Sequence, residues 1–332
     1  MENKKILVIK LGALGDVVRT LAIMPALKKQ FPNSHITWIT KKEAKNILED
    51  NIYIDKVKDA SEKIKEKFNI LYNFDVEPEA TKLAEEIQAD KKYGFYSQEG
   101  FPSAFNIMAE YYLNTLFDDN LKKSNRKTYQ EMMFDVAELK WEKQHCPIFL
   151  NDLDKKYAEN FIKKNSLENK KLVGIHMGAS SRWPSKVWHK EELKKFIVSL
   201  VKEGYKIILF GGSNEIKNHE KLVSEIRSMG INICQNNPKN TIKEFASLVD
   251  ICDIIVCADS LALHVSLALK KPTIGLFFCT SPWEVEDYNL LVKITAPAIL
   301  DFFPERMNEY SEELTKSIKA EQVLNEVKKL LA

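Results

Sequence analysis

Cysteine is sparse in this 332-residue chain, and Cys146, Cys234, Cys252, Cys257 and Cys279 show no paired spacing of a metal site. An odd, scattered set suits a reducing compartment, the cytoplasm. Cys252 and Cys257, in or beside an apolar run, read as buried free thiols. Charge of one sign is also lacking. With 49 Lys and Arg against 47 Asp and Glu, the formal net charge is +2, which gives no electrostatic footprint for nucleic acid. No run approaches about eighteen apolar residues, so no membrane span is expected. The opening apolar stretch is too short, and too soon broken by Lys10, for a signal peptide. No short-period repeat or low-complexity tract appears.

What remains is globular, at 45% hydrophobic and 29% charged residues, and long enough for two domains. The chain opens with "ILVIKLGALGDVVRTLAIMPAL", a strand, a turn holding Gly12, Gly15 and Asp16, and a helix that Pro25 should kink. Strands follow at "HITWIT", Val57, "NILYNF" and "KYGFY", and residues 101–140 read as helical and aromatic-rich. A second series starts at "LVGIHMG" and runs through "YKIILFGG", "INIC", "DIIVCA" and "PTIGLF" with helices between, and an amphipathic helix spans 312–331. Repeated strand–helix alternation means parallel sheets with right-handed crossovers. The expectation is an α/β protein of two doubly wound domains facing a cleft, at 1–155 and 156–310, with a helix at 311–332 packing back on the first.

In open parallel sheets, ligands bind beyond the carboxyl ends of the strands. Four loops there carry suitable groups. The first, "KLGALGDV", is no dinucleotide fingerprint, because it has only G-x-x-G before an acid. Asp16 is either the N-cap of the next helix or a general base for a substrate hydroxyl. The second, "HMGASSRWPSKVW", combines Gly178, Ser180, Ser181, Arg182 and Lys186, a set suited to a diphosphate or simply a solvated loop. In the third, Gly211 and Gly212 precede Glu215, which can accept from ribose hydroxyls or merely start a helix. The fourth places Asp259 and Ser260 at a strand end and His264 one turn into a helix. Asp259 can cap that helix, whose amide groups can bind an anion.

The order and spacing of these stretches resemble glycosyltransferase family 9, the ADP-heptose:lipopolysaccharide heptosyltransferases, over nearly the whole chain. The resemblance implies a GT-B fold of two Rossmann-like domains, acceptor on the first and nucleotide-sugar on the second. It puts Asp16 in the place of the catalytic base and Lys186 on the donor diphosphate. Glu215 falls at the ribose, Asp259, Ser260 and His264 close over the donor phosphates, and Thr280 is expected in the donor site. It implies inverting transfer with no cofactor beyond the nucleotide-diphospho-sugar. No metal is expected, in keeping with the lack of a D-x-D motif in these loops. Two positions depart from the pattern: Leu261 stands where the family usually has Gly, and Phe278-Cys279-Thr280 where it tends to read G-P-T. The competing readings are a non-hydrolysing nucleotide-sugar epimerase and a non-catalytic nucleotide-sugar-binding module. Finally, Phe101, Phe105, Ile107, Met108, Tyr111 and Tyr112 precede Lys122, Lys123, Arg126 and Lys127. Apolar groups beside cations suit an anionic lipid surface or a phosphorylated glycolipid acceptor.

Overall fold

The computed structural model describes residues 3–178 and 182–332. The expected donor residues Ser180 and Ser181 lie outside that set. Two compact units emerge, one of Met1–Phe149 with Trp283–Glu286, the other of Leu150–Pro282 with Asp287–Ala332.

In the first unit β1 (Lys5–Ile9) leads through α1 (Leu14–Thr20) and α2 (Ile23–Gln30) to β2 (His35–Thr40). Then come α3 (Lys42–Leu48), β3 (Lys56–Asp59), β4 (Phe68–Asn73), α4 (Pro78–Glu86) and β5 (Ala89–Gln98). β6 (Phe101–Ala104), α5 (Ile107–Phe117), α6 (Asp119–Ser124) and α7 (Tyr129–Val136) follow. The sheet order is β3-β2-β1-β4-β5-β6, parallel except for β6, which returns antiparallel on β5. Ile6 to Ile9 are fully buried, as a central strand covered on both faces requires. Each such side chain contributes about 2 kcal/mol on leaving water, which fixes where β1 ends and its loop begins.

The second unit runs α8 (Asp152–Asn165), β7 (Leu172–His176), a 3-10 turn at Pro184–Lys186, α9 (Lys190–Lys202), β8 (Lys206–Phe210) and α10 (Ile216–Ser228). It continues with β9 (Cys234–Gln235), α11 (Ile242–Asp250), β10 (Ile254–Ala258), α12 (Leu261–Ala268) and β11 (Thr273–Phe277). β12 (Leu291–Thr295), α13 (Ile299–Phe302), α14 (Glu312–Ser317) and α15 (Ala320–Leu331) complete it. Its sheet, β12-β11-β10-β7-β8-β9, repeats the first topology read from the other end. In both, the chain starts at a central strand, builds one wing, then crosses to the other side. That crossing is the topological switch point, between β1 and β4 in one unit and between β7 and β10 in the other.

Several expectations need correction. The opening helix is two helices, broken ahead of Pro25, whose ring opposes the carbonyl four residues back. Pro25 then sits in the first turn of α2, where a missing N–H costs nothing. The stretch from Phe101 opens with a strand rather than a helix. The helix expected at 312–331 is interrupted between Ser317 and Ala320. In its second part Val323 and Val327 are fully buried in the second unit's core.

Candidate active site

The first unit's switch point holds a buried ion pair. Lys10, at the end of β1, is 3% exposed and donates from Nζ to the Phe74 carbonyl at 3.0 Å. Its Nζ lies 3.7 Å from Asp75 Oδ2. That oxygen also accepts from the backbone amides of Leu11 and Gly12 at 2.9 and 2.6 Å. A Cβ on Gly12 would meet Asp75 Oδ2 at 3.2 Å and Lys10 Nζ at 3.3 Å, so glycine admits both charged groups to the loop. Asn73 completes the support, donating to the carbonyls of Asp75 and Phe95 at 2.9 and 2.7 Å. Burial opposes the Lys10 charge, but Tyr129, Asp75 and Asp16 prevail and hold its pKa above the ordinary range. Beside this loop a cleft of about 660 Å3 opens, lined among others by Gly12, Ala13, Lys41, Glu77 and Glu79.

Asp16 rises from that loop, but not as a cap. Ala13 is the N-cap of α1 and makes no side-chain bond; Asp16 is the third helical residue. An acid in the first turn suits the positive helix end. Its Oδ1 lies 2.8 Å from Arg19 Nη2, with its side chain about a third exposed. Arg19 lies over the Tyr129 ring at 3.6 Å. Burial opposes the Arg19 charge, and Asp16 and Tyr129 outweigh that cost.

In the second unit, loops from three adjacent strands converge. Beyond β7, Ser185 is pinned through its hydroxyl to Glu309 O at 2.8 Å, and Trp188 donates to Ile318 O at 3.0 Å. Between these anchors Lys186 is buried, its Nζ 3.0 Å from Asp259 Oδ2 and 4.8 Å from the Trp183 ring. His264 Nε2 stands 3.9 Å from the other Asp259 oxygen. Burial would raise the Asp259 pKa, yet Lys186 and then His264 hold it well below the usual carboxylate range. Thr280 also favours that charge, although its Oγ1 meets good hydrogen-bond geometry with no group among the described residues. Asp259 does not cap α12: Ser260 is the N-cap, without a side-chain bond to the helix, and its Oγ lies 3.3 Å from His176 Nδ1. Arg182 is exposed and lies 5.1 Å from Trp183.

Glu215 folds back over the β8 loop, its Oε2 accepting from the Gly212 amide at 2.8 Å. A Cβ on Gly178 would come within 2.8 Å of the Glu215 carboxyl carbon. That glycine lets the β7 loop and Glu215 share one place. The second unit thus gathers Gly178, Lys186, Gly211, Gly212, Glu215, Asp259, Ser260 and His264 at the carboxyl ends of β7, β8 and β10. Lys10, Asp75 and Arg19 had no place among the expected site residues. The available signals were a lysine interrupting an apolar strand and an acid directly after "NILYNF".

The aromatic stretch divides. Phe101, Ile107, Met108 and Phe117 are exposed, whereas Tyr112 packs edge-on to Tyr129 at 6.0 Å and Phe105 stacks on Tyr96 at 4.6 Å. Among the cations, Lys127 pairs with Asp135 at 2.7 Å and Arg126 lies over Trp283 at 4.2 Å.

Two Rossmann-like units of identical strand order, with ionic clusters at both switch points, are the architecture of a GT-B glycosyltransferase. The profile of glycosyltransferase family 9 (heptosyltransferase) matches residues 65–313. The chain belongs to that family, and is a glycosyltransferase. It is 25% identical to lipopolysaccharide heptosyltransferase 1 of Campylobacter coli, over 98% of both chains. Among solved structures it resembles the family 9 glycosyltransferase of Veillonella parvula at TM-score 0.79, with 20% identity and 99% and 97% of the two chains covered. It also resembles the ADP-heptose lps heptosyltransferase II of E. coli at TM-score 0.72, with 18% identity and 98% of each chain covered.

Proposed function

We propose that this protein is an inverting, metal-independent heptosyltransferase that moves heptose from ADP-heptose to a hydroxyl of a lipopolysaccharide core or related glycan. The observation that carries the donor half is the pair of buried Lys186 with Asp259 at the switch point of a sheet whose family takes nucleotide-sugars. The Asp16 carboxylate takes the proton of the acceptor hydroxyl, whose oxygen attacks the anomeric carbon. The bond from that carbon to the diphosphate oxygen breaks, and ADP leaves with the electron pair. Charge grows on the leaving diphosphate, so Lys186, Arg182 and the first amides of α12 stabilise the transition state more than the ground state. Glu215 keeps lone pairs for the ribose hydroxyls. These cations are the protein's own answer to the leaving charge, which is the basis for proposing that no metal takes part.

A further proposal concerns place: a cytoplasmic enzyme touching the inner membrane face through the exposed side chains of β6 and α5. The test of the reaction is a screen of nucleotide-sugars with heptose-free lipopolysaccharide, read by mass spectrometry. ADP-heptose should give a heptosylated product of opposite anomeric configuration, undiminished by EDTA, and Asp16→Asn should lower turnover about 100-fold with ADP affinity retained. Transfer from another donor alone, or full turnover by Asp16→Asn, would refute the corresponding half.

A further inference from the structure

The group beneath Asp16 is a closed ring of contacts. Thr20 Oγ1 donates to the Asp16 carbonyl at 2.6 Å and lies 2.8 Å from the Tyr129 hydroxyl. Its single proton being spent on that carbonyl, the tyrosine must donate. Tyr129 in turn carries the Arg19 guanidinium at 3.6 Å, and Arg19 Nη2 returns to Asp16 Oδ1 at 2.8 Å. Tyr129 is itself fixed, by Tyr112 at its edge and by its amide, which donates to Glu284 O at 2.9 Å. Both the backbone and the carboxylate of Asp16 are thereby tied to one aromatic ring.

An ion pair between residues three apart on an exposed helix face contributes little and reorients freely. This one differs because the Arg19 side chain is 16% exposed and its guanidinium carbon lies 3.6 Å from the centre of the Tyr129 ring, which leaves the group little room to reorient. Arg19 Nε is buried and has no hydrogen-bond partner among the described residues. A buried donor left unmatched is costly, and such exceptions ask for an explanation. An arginine serving only to hold the fold would be expected to engage its Nε–H as well as Nη2.

We propose that Arg19, seated on Tyr129, is the positioning residue for Asp16, presenting its carboxylate to the acceptor hydroxyl in one orientation. This rests on the reading of Asp16 as the base. A lysine keeps the charge but neither stacks as a plane nor directs a fork, so charge and geometry can be separated.

The test measures steady-state transfer from ADP-heptose to heptose-free lipopolysaccharide, with ADP calorimetry and a melting curve on each protein. Arg19→Lys should lose roughly 10- to 100-fold in kcat, the scale of a misplaced catalytic group, with donor KM and ADP affinity within about twofold. Tyr129→Phe keeps the shelf and should stay within about threefold of wild type, while Tyr129→Leu should fall with Arg19→Lys. In an Asp16→Asn background Arg19→Lys should add no further loss, because there is no base left to position. A kcat for Arg19→Lys near wild type overturns the proposal, as does an equal loss in both backgrounds. Full turnover by Asp16→Asn alone would instead remove the base reading on which it stands.

Discussion

Asp259 sits as a half-buried anion beside the group proposed to hold another anion. With Asp259 held ionised by Lys186 and then His264, removal of the lysine takes away the main counter-charge of a carboxylate beside the proposed diphosphate site. Lys186→Ala should therefore weaken ADP binding more than the loss of one phosphate contact accounts for. The double variant Lys186→Ala with Asp259→Asn should bind ADP more tightly than Lys186→Ala alone, by about tenfold, since a half-buried charge that has lost its main partner is costly. Adenosine, which brings no phosphate, should distinguish the two variants far less. Calorimetry that finds the double variant weaker than the single one would show that Asp259 contributes to binding by itself. The pair also shows why individual residues were only partly legible in the sequence. "SKVW" and "CADS" each stand out, but nothing in their spacing joins Lys186 to Asp259, 73 positions apart. The Lys10–Asp75 pair is hidden for the same reason, since a contact made by sheet order has no local signature.

Secondary elements were more readable, because periodicity is local. Buried strands such as β1, β10 and β11 are continuous apolar runs, and they lie where those runs fall. The misreadings arose where tertiary contacts override pattern. Phe101–Ala104 is a strand only because β5 is there to pair with it; alone it precedes a helical stretch and looks like its start. The end of β7 illustrates how packing between elements sets a pH response. There His176 faces His219 of α10, Phe245 of α11 and Ser260 at the start of α12. Burial, then the neighbouring His219, pushes its pKa down from 6.5 to about 4. Across that interval the unfolded chain binds a proton that the folded chain refuses. The contribution to stability is therefore complete above about pH 6.5 and declines as pH falls toward 4, by about 3 kcal/mol. Denaturant titrations at pH 7 and pH 4.5 should show a loss that His176→Asn reduces by about 2 kcal/mol, the part of that decline complete by pH 4.5. Parallel pH profiles for the two proteins would mean that His176 is readily protonated in place.

For the whole molecule, two domains and their parallel sheets followed from alternation and length, but the path of the chain between them did not. The membrane proposal also belongs to this scale, since it concerns a surface and not a site. Phe101, Ile107, Met108 and Phe117 expose apolar area near Lys122 and Lys123, and anionic lipid should contribute roughly 1 kcal/mol per cation close to its surface. The protein should co-sediment with vesicles containing anionic lipid, less with neutral ones, and less again after Ile107→Ser with Phe117→Ser. Binding indifferent to lipid charge and to those substitutions would exclude this face. The segment Trp283–Glu286 has a consequence of another kind. It lies between stretches of the second unit, yet its residues pack with the first: Trp283 under Arg126, Glu284 receiving the Tyr129 amide, Glu286 3.7 Å from Lys143. Recombination between related genes with a crossover near codon 149 would carry that segment with the second half of the chain into a foreign first half. Such hybrids would inherit mismatched partners at positions 126, 129 and 143. The two halves of the gene are therefore expected to evolve in step at these few sites, even where the rest of each half is free to drift.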